Sequence, residues 1–156
     1  MQDHYYPFHL FGAVFASATE AQQYVFEQWE PEPPEGATDA EYAAWEERNP
    51  TWRLAEELEF YIDSDFVELA DSLANVISQI RSADESAWLS TNAKAFSHFI
   101  IISDNPDAIW ADRRPDASQT RPVTRPPEST ATLTYLGRFN LPGRALARPS
   151  NPAQAA

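Results

Sequence analysis

The chain of 156 residues contains no cysteine. That absence excludes a disulfide framework, a thiolate metal site and a cysteine nucleophile together, and it fits a reducing cytoplasm. Lysine is nearly absent as well: Lys94 stands beside ten arginines, the usage of a GC-rich bacterial genome. Glycine occurs four times, at 12, 36, 137 and 143, and nowhere as a phosphate-cradling loop. There is no G-x-S-x-G elbow for a serine nucleophile. No apolar run approaches the ~20 residues of a membrane span. The opening MQDHYYPFHLFG carries Asp3 instead of a basic region, so no secretory signal is expected. His4, His9 and His98 lack the i,i+4 spacing of helical metal ligands. Neither a metal nor a cofactor is expected, and a non-enzymatic cytoplasmic protein is.

Positive charge is scarce where negative charge is dense. Residues 1–90 hold 19 acids against Arg48, Arg53 and Arg81, while residues 91–156 hold five acids against Lys94 and seven arginines. The whole chain carries −13. Nucleic-acid binding is disfavoured, because phosphate contacts need Lys or Arg. An anionic membrane surface would be repelled in the same way. A basic protein partner would instead be steered in by the field. Solubility is the plainer use of the same charge.

What the chain does have is aromatic mass: five Trp, six Tyr and nine Phe. A chain of this length hides ~70% of its unfolded surface. One domain over 1–140 follows, with a disordered tail over 141–156, where prolines abound and little could pack.

Along the chain, His9 to Phe15 reads as a strand covered on both sides. Ser17-Ala18-Thr19-Glu20 is a capping box, and the helix after it places Ala21, Tyr24, Val25 and Trp29 on one stripe. A turn-rich stretch at 31–36 ends it. Thr38-Asp39-Ala40-Glu41 is a second capping box, opening a short helix that stops before Pro50. Thr51 to Ile62 begins helical and ends extended at Phe60-Tyr61-Ile62. Asp65 to Ile80 is predicted to be one long helix, because Phe66, Leu69, Ala70, Leu73, Val76, Ile77 and Ile80 recur at helical spacing. A less regular stretch from Arg81 to Ala95 leads into a strand at Phe96 to Ser103. Residues 104–128, with five prolines, read as a long exposed loop. Thr130 to Phe139 alternates as a half-buried strand. Gly12 and Gly137 fall within strand patterns, which points to a bulge or a close backbone approach. The fold class is α+β: a small central β-sheet packed with about three helices.

Asp63, Asp65, Glu68 and Asp71 gather at the start of the expected long helix. They fail as a calcium loop, since no Gly occupies the sixth position and Phe66 and Val67 replace oxygen ligands. Helix capping accounts for acids in a first turn. A partner-binding patch is the functional alternative, with Glu56, Glu57, Tyr61 and Trp110 as neighbours. Trp110, in the long loop, reads either as packing of that loop onto the domain or as an exposed anchor for a partner.

Three segments taken together, FGAVFASATEAQQYV, YIDSDFVE and YLGRF, resemble the Immunity protein 22 family, a bacterial group associated with polymorphic toxin systems. The resemblance runs over roughly 8–140, interrupted by the Pro-rich insert at 31–36 and the 104–128 loop. It implies a helix start at the D-F-x-E segment. It also implies an immunity protein that binds a cognate toxin domain and neutralises it by occlusion. A nuclease toxin, with a basic substrate cleft, would suit the acidic half. Two readings from other classes stand beside it: an acidic adaptor or nucleic-acid mimic for a host protein, and a small metal-dependent enzyme using Asp63, Asp65 or Glu68.

Overall fold

The computed structural model describes residues 6–114, 123 and 125–141. Its elements are β1 (Phe8–Ala13), α1 (Ala18–Val25), α2 (Asp39–Arg48), α3 (Arg53–Leu58), β2 (Phe60–Ile62), β3 (Val67–Ala70), α4 (Leu73–Ile77), α5 (Ala83–Asn92), β4 (His98–Ser103), β5 (Ile109–Asp112) and β6 (Thr134–Phe139). The class is α+β, as the alternation of patterns predicted. A four-stranded antiparallel sheet runs in the order β3-β4-β1-β6, and a separate ribbon pairs β2 with β5.

β1 is apolar on both faces because both faces are covered. All six of its residues are buried, as are the first five of β4. In paired register Phe11 meets Ile100 and Leu10 meets Ile101, so successive residues point to opposite sides. On one side Phe11, Ile100 and Ile102 pack with Tyr24, Leu54, Leu58 and Phe60 from α1, α3 and β2. On the other, Leu10, Phe99, Ile101 and Phe139 pack with Val76 and Leu89 from α4 and α5. The sheet is the middle layer of three.

The two strand glycines do what their positions suggested. A Cβ on Gly12 would lie 2.5 Å from the Phe96 ring, so the ring closes over bare backbone. Gly137 has φ +120° and adjoins a bulge. Leu10 pairs with Gly137 while Phe11 pairs with Tyr135, which leaves Leu136 as the extra residue.

Both expected capping boxes form N-caps. Ser17 Oγ accepts from the Glu20 amide, and Thr38 with Glu41 closes the box in both directions. Glu20 reaches back to the Ala16 amide, one residue before the cap. The reading of 51–62, helical then extended, matches α3 and β2.

Five expectations need correction. The long helix over 65–80 does not form. Ser64–Phe66 is a 3-10 turn, Val67–Ala70 pairs with Ile102–Phe99 of β4, and Ser72 caps the short α4. Apolar residues at helical spacing also fit a strand followed by a turn of helix, and the open edge of β4 takes the strand. The irregular stretch at 81–95 contains α5, capped by Ser82 with Asp84 and Glu85 in its first turn. The loop at 104–128 contains β5. Trp29 is not on the stripe of α1, which ends at Val25. Five helices are described rather than about three. The expected tail beyond Leu141 lies outside the described residues, as do His4 and Gly143.

Candidate partner-binding surface

The β2–β5 ribbon builds the surface. Tyr61 pairs with Ala111 and Ile62 with Ile109, so Trp110 is the extra residue of a second bulge. Bulges re-aim side chains. Here the Trp110 ring stacks on Tyr61, centroids 5.3 Å apart at 27°. The Arg113 guanidinium sits 4.8 Å from the Tyr61 centroid. Tyr61 is 40% and Trp110 39% exposed. Glu27, Pro50, Trp52, Glu56 and Ile62 join them around a recess of about 320 Å³. The carboxylate of Glu56 accepts from the Trp52 amide at 3.3 Å. Thus Glu56, Tyr61 and Trp110, three of the expected contact residues, come together.

The ribbon is firmly seated from beneath. Phe60 and Ile62 are buried in the core. Arg125 holds the buried Asp112 through Nε at 2.8 Å and Nη2 at 3.1 Å, and lies 3.9 Å over the Phe60 ring. It also donates to the Glu59 carbonyl at 2.8 Å. These Arg125 hydrogen bonds, with help from Arg114, hold the Asp112 carboxyl far below the ordinary carboxylate range against the opposing effect of burial.

Beside the recess the chain leaves the domain and returns. Gln28 and Thr51 exchange backbone hydrogen bonds at 2.8 and 2.9 Å, closing residues 29–50 into an excursion that carries α2. No residue of α2 is buried. Residues 27–51 contain eight acids against Arg48. The excursion folds on itself around aromatic rings: Trp45 meets Trp29 at 5.8 Å and Tyr42 at 5.5 Å. Glu30 ties its ends, pairing with Arg48 at 2.9 Å and receiving the Trp45 indole N–H at its carbonyl, 3.2 Å away. Tyr42 donates to Glu32, which raises the phenol's pKa. Trp29 remains 58% and Tyr42 37% exposed. Among the described residues, four of the six exposed large apolar side chains therefore belong to this excursion or the adjoining ribbon.

The other expected contact residues are dispersed. With no helix over 65–80, Asp63, Asp65, Glu68 and Asp71 have no common face. Asp63 caps the 3-10 turn, accepting from the Asp65 amide at 3.0 Å. Asp65 and Glu68 line a different recess, of about 600 Å³, and Glu68 accepts from Gln79 at 2.9 Å. Asp71 accepts from Asn75 beside the start of α4. Glu57 serves the fold: it accepts from Tyr24 at 2.6 Å, from Thr132 at 2.9 Å and from Thr130. Burial raises its pKa, but those hydroxyls together outweigh burial and leave it lowered. Among the described residues no three His, Asp or Glu side chains group to hold a metal.

A third recess, of about 280 Å³, is lined by His9, Asp104, Tyr135 and Arg138. His9 Nδ1 lies 2.9 Å from the Tyr135 hydroxyl and Nε2 lies 3.2 Å from Asp104, which Arg138 meets at 2.6 Å. A carboxylate can only accept, so Nε2 carries the proton and Nδ1 accepts from Tyr135. Burial lowers the His9 pKa, with Asp104 partly opposing. His98 is likewise held, 2.8 Å from Ser97 Oγ. Both strand histidines are hydrogen-bonded within the fold.

Glu27, Trp29 and Arg113 are the surface residues that the sequence pattern did not single out. The capping box at Thr38 and the prolines around it were the available signal for an excursion; nothing local marks its closure. Among the described residues no helix is long and apolar enough to cross a membrane. Compared with known proteins, the chain matches no family model, no curated protein and no solved structure.

Proposed function

We propose that this chain is a cytoplasmic binding protein that occupies a basic surface on a protein partner. In the specific form that the three short segments suggest, it is an immunity protein that blocks a cognate toxin domain without turnover. One observation carries the reading: the exposed aromatic pair Tyr61 and Trp110, rimmed by Glu27 and Glu56, adjoins an acidic excursion that contributes nothing buried from α2. An excursion with seven acids and an exposed Trp is costly to keep unless something covers it. Aromatic side chains supply binding energy at such a centre, and the surrounding carboxylates supply steering and register.

The toxin reading uses the same surface as a plug. A nuclease cleft that must hold phosphates is lined by cations, and an acidic projection is complementary to it. The test is co-expression in a sensitive host with the C-terminal domain of the protein encoded immediately upstream. Survival restored by this chain, and lost with Trp110→Ala, is the expected result. Toxicity without rescue would overturn the toxin reading.

A further inference from the structure

We propose that the recess between the β2–β5 ribbon and the root of the excursion is a pocket for one arginine side chain of the partner. This rests on the binding reading above and names what the site grips. The recess combines aromatic surface from Tyr61, Trp110 and Trp52 with the carboxylates of Glu27 and Glu56. Aromatic faces attract a cation through the ring quadrupole, and carboxylates at the rim supply charge complementarity. Its volume of about 320 Å³ suits a single side chain rather than a helix or a strand.

The chain itself shows the preferred occupant. Arg113 lies over Tyr61 at 4.8 Å and lines the same recess. Its backbone amide is fixed by the Glu59 carbonyl at 2.9 Å, so the guanidinium is presented from the end of β5. A planar guanidinium stacks on a ring and presents its N–H groups in the ring plane to carboxylates, as a lysine ammonium does not. A partner arginine takes the place of Arg113, which swings out towards solvent. Arg113 is thus an internal competitor that weakens the empty pocket's affinity for stray cations.

The test uses the full chain and three capped tripeptides, glycine–X–glycine with X as arginine, lysine or citrulline. The reporter is the Trp110 indole N–H resonance, assigned with Trp110→Phe. Arginine is expected to shift it saturably and at least about threefold more tightly than lysine, and citrulline not to shift it. Arg113→Gln should tighten arginine binding about three- to fivefold, whereas Arg114→Gln, the same charge change next door, should leave it alone. Glu56→Gln should weaken it, which keeps the test decisive if a Trp110 substitution fails to fold. Equal response to arginine and lysine, or equal tightening by both arginine substitutions, reduces the effect to general attraction and overturns the pocket. A shift that follows protein concentration instead of peptide makes a second copy the occupant and overturns it too. The two readings separate cleanly. A failed titration with intact rescue removes the arginine pocket alone, and a successful titration without rescue removes the toxin.

Discussion

The four-stranded sheet and the 29–50 excursion are built from the same kinds of residue and put them to opposite use. In the sheet and the layers packed on it, aromatic and branched side chains are buried, and polar groups that enter are matched: Asp112 by Arg125, Glu57 by three hydroxyls, His9 by Tyr135 and Asp104. In the excursion, Trp29 and Tyr42 lie against Trp45, and no residue of α2 is buried. The first arrangement secures the fold and the second leaves apolar area for something else to cover. Stability and binding should therefore separate by region.

Phe11→Ala should break the sheet side most severely. It empties a fully buried ring position and should cost about 4 kcal/mol in urea unfolding. Asp112→Ala comes next, at about 3 kcal/mol, because Arg125 is left nearly buried without its carboxylate. Removing both partners should cost less than the sum of the single changes, and additivity in that cycle would show that the pair does not seat the ribbon. Glu57→Gln should cost about 1–2 kcal/mol, since an amide keeps the shape but returns weaker hydrogen bonds to Tyr24, Thr130 and Thr132.

The pH dependence sharpens the same contrast. His9 has a pKa lowered by burial, so the unfolded chain binds its proton first as pH falls. Stability should be level above the ordinary histidine pKa of 6.5 and decline below it, towards the depressed folded value. Glu57, lowered as well, adds a second decline below its ordinary 4.5. His9→Gln should flatten the first limb and leave the second, as read by thermal unfolding between pH 8 and 4. The smallest effect is expected in the excursion. Trp29→Ala removes an exposed ring tilted against Trp45 and should cost under about 1 kcal/mol of stability while weakening partner binding. A cost equal to that of Phe11→Ala would make the excursion part of the core and dissolve the comparison.

Much of the fold was legible from local chemistry. The doubly apolar patterns HLFGAVF and FSHFIIIS read as strands buried on both sides, and the strands form at Phe8–Ala13 and His98–Ser103. Ser17 and Thr38 announced their helices through side chains that cap backbone within three residues. Gly12 and Gly137 marked close approach and bulge because glycine in a strand has few other uses. The site was legible only in part. Tyr61, Trp110 and Glu56 were singled out, yet the four acids grouped with them depended on a helix that never forms.

That helix failed for a non-local reason. Val67–Ala70 carries no mark of its partner, and the hydrogen bonds that make it a strand come from β4, some thirty residues later. Ser82, followed by Asp84 and Glu85, was by contrast a readable N-cap at the head of α5. By itself the sequence determined charge, burial periodicity, caps and the absence of sulfur chemistry, because each depends on residues close along the chain. Tertiary structure alone decided which strand edges are paired, where the bulges turn Trp110 and Leu136, and which acids share a surface. Those outcomes follow from hydrogen bonds and packing between distant segments, whose closure no local pattern records.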